Sequence, residues 1–227
     1  MKKEGRFIVI EGIDGSGKTK QFNLLKKKIE SKKINLLNAE FPRYYTSPWG
    51  KLVGRFLTGE FGKLESVSPY LVVLPYMIDQ YTWSRDIAKP WIKSGGWILT
   101  NRYFTSNAHQ IAKLKTRARK KFREWIWPLG YKSLGILKPD LVIFIDTKPL
   151  VAKQLINSKN ERSYLNGKRK DIAESNWSHQ VSAYNEYKRC VKMYSWWISI
   201  PGVKNANDDF SKVIHQNVWM EVKKRCL

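Results

Sequence analysis

The residues best equipped for chemistry lie near the N-terminus. Gly12-Ile13-Asp14-Gly15-Ser16-Gly17-Lys18-Thr19 fits the pattern G-x-x-x-x-G-K-[ST]; it follows the apolar run Phe7–Ile10 and opens a segment that reads as a helix. Such a loop binds phosphate. Gly12, Gly15 and Gly17, with Ser16 among them, let backbone N–H groups turn inward, and the helix N-terminus adds partial positive charge. Lys18 would then reach the β- and γ-phosphates of a nucleoside triphosphate, and the Thr19 hydroxyl would ligate Mg2+. Phosphate binding alone does not separate a switch GTPase from a motor ATPase or a kinase. No guanine-reading Asn-Lys-x-Asp tetrad occurs downstream, which argues against a GTPase.

Four further clusters bear on a second substrate. Phe41-Pro42-Arg43 forms a turn whose guanidinium fork suits a phosphate. Tyr76-Met77-Ile78-Asp79-Gln80 combines an aromatic ring with an amide that can donate and accept at once. Asn101-Arg102-Tyr103-Phe104-Thr105-Ser106-Asn107-Ala108-His109-Gln110 begins at the end of an apolar strand, where ligands bind in parallel α/β sheets. Arg162-Ser163-Tyr164 and Arg169-Lys170-Asp171-Ile172-Ala173-Glu174 come last, in and just after the charged stretch 158–170.

With these motifs in this order, from Phe7 to about Tyr187, the chain resembles the thymidylate (dTMP) kinases of the P-loop nucleoside monophosphate kinase family. The resemblance implies in-line transfer of the ATP γ-phosphoryl group to the 5′-phosphate of dTMP, giving dTDP, with Mg2+ as cofactor and a homodimer as the assembly. It places Asp14 near the acceptor sugar and the magnesium shell, so that Thr19 and Asp14 organise the metal. Phe41, Pro42 and Arg43 would meet the acceptor phosphate, and Tyr76 would stack on thymine. Gln80 stands where the family carries an Arg at the base edge. Arg102 would bridge donor and acceptor phosphates; Ser106 and Asn107 would meet the base, with Gln110 near the sugar. Tyr164 and Arg162 would close over the substrates as a lid. Because Ser16 stands where some relatives place an Arg, Arg162 and Arg169 would meet transition-state charge beside Lys18 and Arg102, with Lys168 and Lys170 as further cations. Asn101 replaces a family Asp that helps to hold hydrated Mg2+, and an amide loses that charge assistance. His109 sits among base-binding positions and reads as a structural or substrate-contact residue.

Other readings stay open at this level. A deoxynucleoside kinase would need a carboxylate base after the first strand, where Glu11 lies, although Arg43 and Arg102 favour an acceptor that already carries phosphate. Another pyrimidine monophosphate kinase is compatible with Gln80. A nucleic-acid-binding ATPase would explain the basic charge but leaves Tyr76, Ser106, Asn107 and Gln110 without a purpose, and the dTMP reading does not require nucleic acid.

These residues need a scaffold, and the hydrophobic pattern describes one. Short apolar runs at Arg6–Glu11, Asn35–Glu40, Trp97–Asn101, Leu141–Asp146 and Trp197–Ile200 alternate with amphipathic stretches at 18–32, 50–58, 69–93, 104–136 (broken), 149–157, 171–195 and 209–225. This is the pattern of an α/β fold: a doubly wound, five-stranded parallel sheet flanked by helices, a single domain over 1–227 with a lid at 158–170. Ser68-Pro69 reads as a cap followed by a first helical residue, while Pro75 and Pro90 predict kinks.

Composition agrees. Of 227 residues, 42% are hydrophobic and 27% charged, which excludes a disordered or collagen-like chain. Cys190 and Cys226 are far apart and lack metal-ligand spacing, so a reduced, cytoplasmic setting is expected. No apolar run reaches membrane length. The 42 Lys and Arg against 19 Asp and Glu give a net charge of +23, pointing to a polyanionic partner. Residues 113–138 hold nine basic residues against one acidic, and 159–170 hold five against one. Only the second group, with Lys18, Arg43 and Arg102, has a role in the phosphate chemistry.

Overall fold

In a computed structural model of the chain, residues 5–157, 172–173, 176–205 and 210–227 are described. The expected lid at 158–170, with Arg162, Tyr164, Lys168, Arg169 and Lys170, lies outside these residues.

Five parallel strands form one sheet: β1 (Phe7–Glu11), β2 (Leu36–Glu40), β3 (Trp97–Asn101), β4 (Leu141–Asp146) and β5 (Trp197–Pro201), in the order β2-β3-β1-β4-β5. Each expected strand is present with ends within one residue. The central strands β1, β3 and β4 are buried along nearly their whole length and apolar except toward their C-terminal ends, because both of their faces are covered. Phe7, Val9, Val142 and Phe144 join one core layer, which the helices α3 (Pro69–Trp83), α5 (Ala108–Lys113), α6 (Thr116–Pro128) and α8 (Trp177–Met193) complete. Ile8, Ile10, Ile143 and Ile145 point the other way, toward α1 (Lys18–Ser31) and α9 (Ser211–Cys226).

The register decides which polar ends meet. β1 pairs with β3 so that Ile10 faces Asn101, and β2 pairs with β3 so that Glu40 faces Asn101. Glu11, Glu40 and Asn101 therefore gather at one edge. A smaller apolar cluster of Val53, Phe56, Leu57, Leu64 and Val72, packed with Tyr44 and Tyr76, joins α2 (Pro48–Leu57) to α3 beside that edge.

The helices differ from expectation mainly at their interruptions. The run 69–93 is helical throughout, passing through Pro75, but it is built as α3, a π turn at Ser84–Ala88 and α4 (Lys89–Lys93). Pro90 carries no N–H for the carbonyl four residues back, and the wider turn, in which the Lys89 N–H reaches Ser84, absorbs that defect. The run 104–136 divides into a 3₁₀ turn at Phe104–Asn107, α5, α6 and a π turn at Leu129–Ser133; Leu114 is extended and ends α5. The helix expected from 171 starts at Trp177, where the Asn176 side chain accepts from the His179 N–H at 2.9 Å. α7 (Pro149–Asn157) is as expected. Among the described residues no helix is long and apolar enough to cross a membrane.

Candidate active site

The phosphate loop joins β1 to α1 through Gly15 (φ +82°) and Gly17 (φ +86°). At Gly15 a side chain would be excluded twice over: by the left-handed backbone, and by the carbonyl oxygen of Ala152, 2.1 Å from where a Cβ would stand. From the end of β4 the Thr147 hydroxyl donates to the Ser16 carbonyl at 2.9 Å and braces the loop. Lys18 is buried, its Nζ 3.2 Å from the Ile13 carbonyl and 3.3 Å from Asp14 Oδ1.

Arg102 follows β3 with φ +64°, a conformation that costs an L-residue roughly 1–2 kcal/mol. Its backbone N–H donates to the Ile10 carbonyl at 3.0 Å, which fixes it against β1. Arg102 Nη2 lies 2.6 Å from Asp14 Oδ1, while Nη1 reaches His109 Nε2 at 3.2 Å, the Tyr187 hydroxyl at 3.3 Å and Glu11 Oε2 at 3.7 Å. Burial alone would lower the pKa of this guanidinium; Asp14, Tyr187 and Glu11 outweigh burial and hold it protonated.

Glu11, read from the sequence only as the base of a deoxynucleoside kinase, is instead a buried anchor. Its fully buried carboxylate accepts from Thr105 Oγ1 at 2.6 Å, Ser106 Oγ at 2.8 Å and the Tyr187 hydroxyl at 2.8 Å. Fully buried, engaged by three hydroxyls and not among the described lining residues of the cleft, it is not placed to meet a 5′-hydroxyl, and the deoxynucleoside-kinase reading loses its proposed base. Tyr187 is pushed well above the usual phenol range by burial and by Glu11. Asp14 is held from α8 by Gln180: Nε2 donates to Oδ2 at 3.1 Å, and the Asp14 N–H returns to Oε1 at 3.4 Å. Gln180, Ala183 and Tyr187 follow the i, i+3, i+7 spacing of one helix face, a pattern legible in the sequence only once that face is known to be buried.

Arg102 also sets the state of a histidine pair. As a donor to His109 Nε2 it makes that atom the acceptor, so His109 Nδ1 carries the hydrogen toward His179 Nε2, 3.4 Å away. Burial, reinforced by Arg102, pushes His109 well below the usual histidine range; burial, reinforced by Lys113, pushes His179 down to about 4. Unfolded histidine protonates near 6.5 and folded His179 only near 4, so stability is lost as pH falls through that interval. The loss expected from His179 is roughly 3 kcal/mol. Thermal unfolding at pH 7 and pH 4.5 measures it, and His179→Gln is expected to flatten the dependence. A wild-type curve without this slope would exclude a neutral buried pair.

These groups open onto a cleft of about 450 Å³. Of the expected site residues, Asp14, Lys18, Thr19, Phe41, Pro42, Tyr76, Arg102, Ser106 and Gln110 line it. Arg43, Gln80 and Asn107 are not among the described lining residues. Arg43 turns toward α3, where its Nε meets Asp79 Oδ1 at 2.9 Å and its Nη2 meets Thr82 Oγ1 at 3.0 Å. Gln80 is buried within α3, and Asn107 donates to the Phe104 carbonyl at 2.8 Å. Unforeseen on the wall are Glu40, Tyr44, Phe56, Leu64 and Lys113. Lys113 stands three residues after Gln110, on the same face of α5, a spacing that could have revealed it. Burial pulls its pKa down to about 8. The lining thus combines cationic and polar groups with aromatic and aliphatic ones, and Lys113 Nζ lies 4.9 Å from the centroid of the Phe56 ring.

Comparison with known proteins agrees with this geometry. Residues 10–208 match the family model described as thymidylate kinase. A thymidylate kinase of Plasmodium falciparum is 25% identical over 98% of this chain and 92% of its own length. A probable thymidylate kinase of Pyrobaculum aerophilum is 30% identical over 67% of this chain and 70% of its own, and a thymidylate kinase of Afipia carboxidovorans is 31% identical over 63% and 59%.

Proposed function

The chain belongs to the thymidylate kinase family, and on that premise we propose that it transfers the γ-phosphoryl group of ATP to the 5′-phosphate of dTMP, giving ADP and dTDP. The observation that carries this reading is the cleft itself, in which Asp14, Lys18 and Thr19 of the phosphate loop and half-buried Arg102 share a lining with the aromatic residues Phe41, Tyr44, Phe56 and Tyr76. A nucleotide that is both polyanionic and flat matches both kinds of lining.

The protein's work is positioning and charge neutralisation. Gly12, Gly15, Ser16 and Gly17 shape the loop, Lys18 faces the transferring phosphate, and Arg102 lies where donor and acceptor phosphates converge. Asp14 ties these two cations together and orients them. Phe41, Pro42 and Tyr76 bound the acceptor, and Arg43 fixes that turn through Asp79 and Thr82. Ser106 and Gln110 set the base and sugar side from the cleft wall, with Asn107 and Gln80 supporting them from behind it; the buried Oε1 atom of Gln110 lacks a partner and suits a donor on a substrate. Residues 158–170 serve as the lid of this single domain, with Arg162, Tyr164 and Arg169 closing over the substrates.

Mg2+ bound with the nucleotide neutralises phosphate charge as it shifts. The residues fit such an ion: Thr19 and Asp14 offer hard oxygen donors, and beside Thr19 the buried Oδ1 of Asn101 has no hydrogen-bond partner.

A homodimer is the proposed assembly, supported by Leu71 and Leu74, one turn apart on α3 and 61% and 41% exposed. Cys190 and Cys226, unpaired and buried, support a cytoplasmic setting.

ADP release with ATP and Mg2+ tests the function against a panel of nucleoside monophosphates and thymidine. Turnover is expected with dTMP, weaker with other monophosphates and absent with thymidine. No turnover on dTMP, or equal turnover on every acceptor, overturns the assignment.

A further inference from the structure

We propose that Glu40, at the end of β2, provides the acidic side chain of the magnesium shell, the charge that Asn101 lacks. The inference rests on the reading of Gly12–Thr19 as a magnesium-nucleotide site.

The register that sets Glu40 opposite Asn101 brings their side chains together: Asn101 Nδ2 donates to Glu40 Oε2 at 2.8 Å. The same amide nitrogen lies 3.3 Å from Thr19 Oγ1. Two such links in series put the Glu40 oxygen within about 6 Å of the hydroxyl that follows the phosphate-loop lysine. A hydrated magnesium ion spans that distance, with a direct oxygen ligand at about 2.1 Å and bound waters that donate outward. Glu40 would accept from such a water, so it is a positioning residue rather than a catalytic one.

Two further observations favour Glu40 as the acid. With the Asn101 amide turned toward Glu40 and Thr19, its Oδ1 is buried and without a partner, and a metal-bound water is a donor of the kind this atom lacks. Asp14, the other nearby carboxylate, still has an oxygen lone pair to offer the ion, but its charge is already offset by Arg102 and Lys18 on one oxygen while Gln180 donates to the other, so a further acid is needed. Glu40 is exposed on the cleft wall, and the Asn101 amide is its hydrogen-bond partner among the described residues. No group of three or more His, Cys, Asp or Glu that could hold a metal occurs among those residues, which leaves nucleotide phosphates and water to complete the shell.

The test is a metal titration without turnover. Mn2+ binding to the ADP complex is followed by electron paramagnetic resonance in wild type, Glu40→Gln, Asn101→Asp and the double variant, and ADP affinity in EDTA is measured in parallel. Glu40→Gln is expected to weaken Mn2+ binding about tenfold or more while metal-free ADP affinity stays unchanged. Asn101→Asp is expected to tighten Mn2+ binding alone and to restore it in the double variant. Wild-type metal affinity in Glu40→Gln, an equal loss of ADP affinity in EDTA, or no recovery in the double variant overturns the proposal. Failure of wild type to phosphorylate dTMP would defeat the functional reading instead, because the titration requires no acceptor.

Discussion

Arg102→Met is expected to lower kcat/KM for dTMP phosphorylation about 10³-fold, with most of the loss in kcat. The side chain touches Asp14, His109 and Tyr187 together, with Glu11 close by. A charge fixed in a buried cleft, at a backbone angle the chain holds at a cost, is preorganised for phosphates between which negative charge moves. The same substitution removes the guanidinium beside Asp14 and Glu11 while Lys18 still faces Asp14, and losing this partly exposed, charge-assisted pairing costs about 1.5–3 kcal/mol. Arg102→Lys separates the two effects. Lysine keeps the charge and is expected to recover much of the stability, yet its single ammonium cannot span the partners of the fork, so kcat stays at least about tenfold low. A lysine variant with wild-type kcat would show that Arg102 is needed only as a neutralising charge.

Glu11→Gln is expected to reduce folding stability by about 2–4 kcal/mol, measured as a lower urea midpoint with an unchanged m value. Three hydroxyls, from Thr105, Ser106 and Tyr187, donate to this carboxylate, and Arg102 lies 3.7 Å away. An amide offers one acceptor oxygen where the carboxylate offered two, and its NH₂ group confronts hydroxyls that already donate. Tyr187→Phe removes one of these bonds and should cost about 1 kcal/mol, which calibrates the larger loss. An unchanged midpoint for Glu11→Gln would mean that the hydroxyls re-pair elsewhere.

The two substitutions also show why part of the site was legible and part was not. The phosphate loop is a local object: its glycines, lysine and threonine must be near neighbours, so spacing reveals them. The motif at 101–110 is local too, and it brings Arg102, Ser106 and Gln110 to the cleft. The buried framework behind them is not local. Glu11 meets Tyr187 across 176 positions and Asp14 meets Gln180 across 166, and neither helix residue carries a signal of its own. The basic charge divides along the same line. Lys113, one of nine basic residues in a stretch without an evident role, proves to stand on the cleft wall with its charge weakened by burial.

Periodicity and turn chemistry, which act over a few residues, determined the five strands, the phosphate loop, the α/β class and the order of the motifs. Tertiary structure alone decided which side chains satisfy one another. The β2–β3 register set Glu40 against Asn101, the packing of α8 on α5 brought His179 to His109, and Asp79 on α3 drew Arg43 away from the cleft wall. The physical reason is that a buried polar group must find a partner, and in this chain the nearest partners lie on elements that only folding brings together.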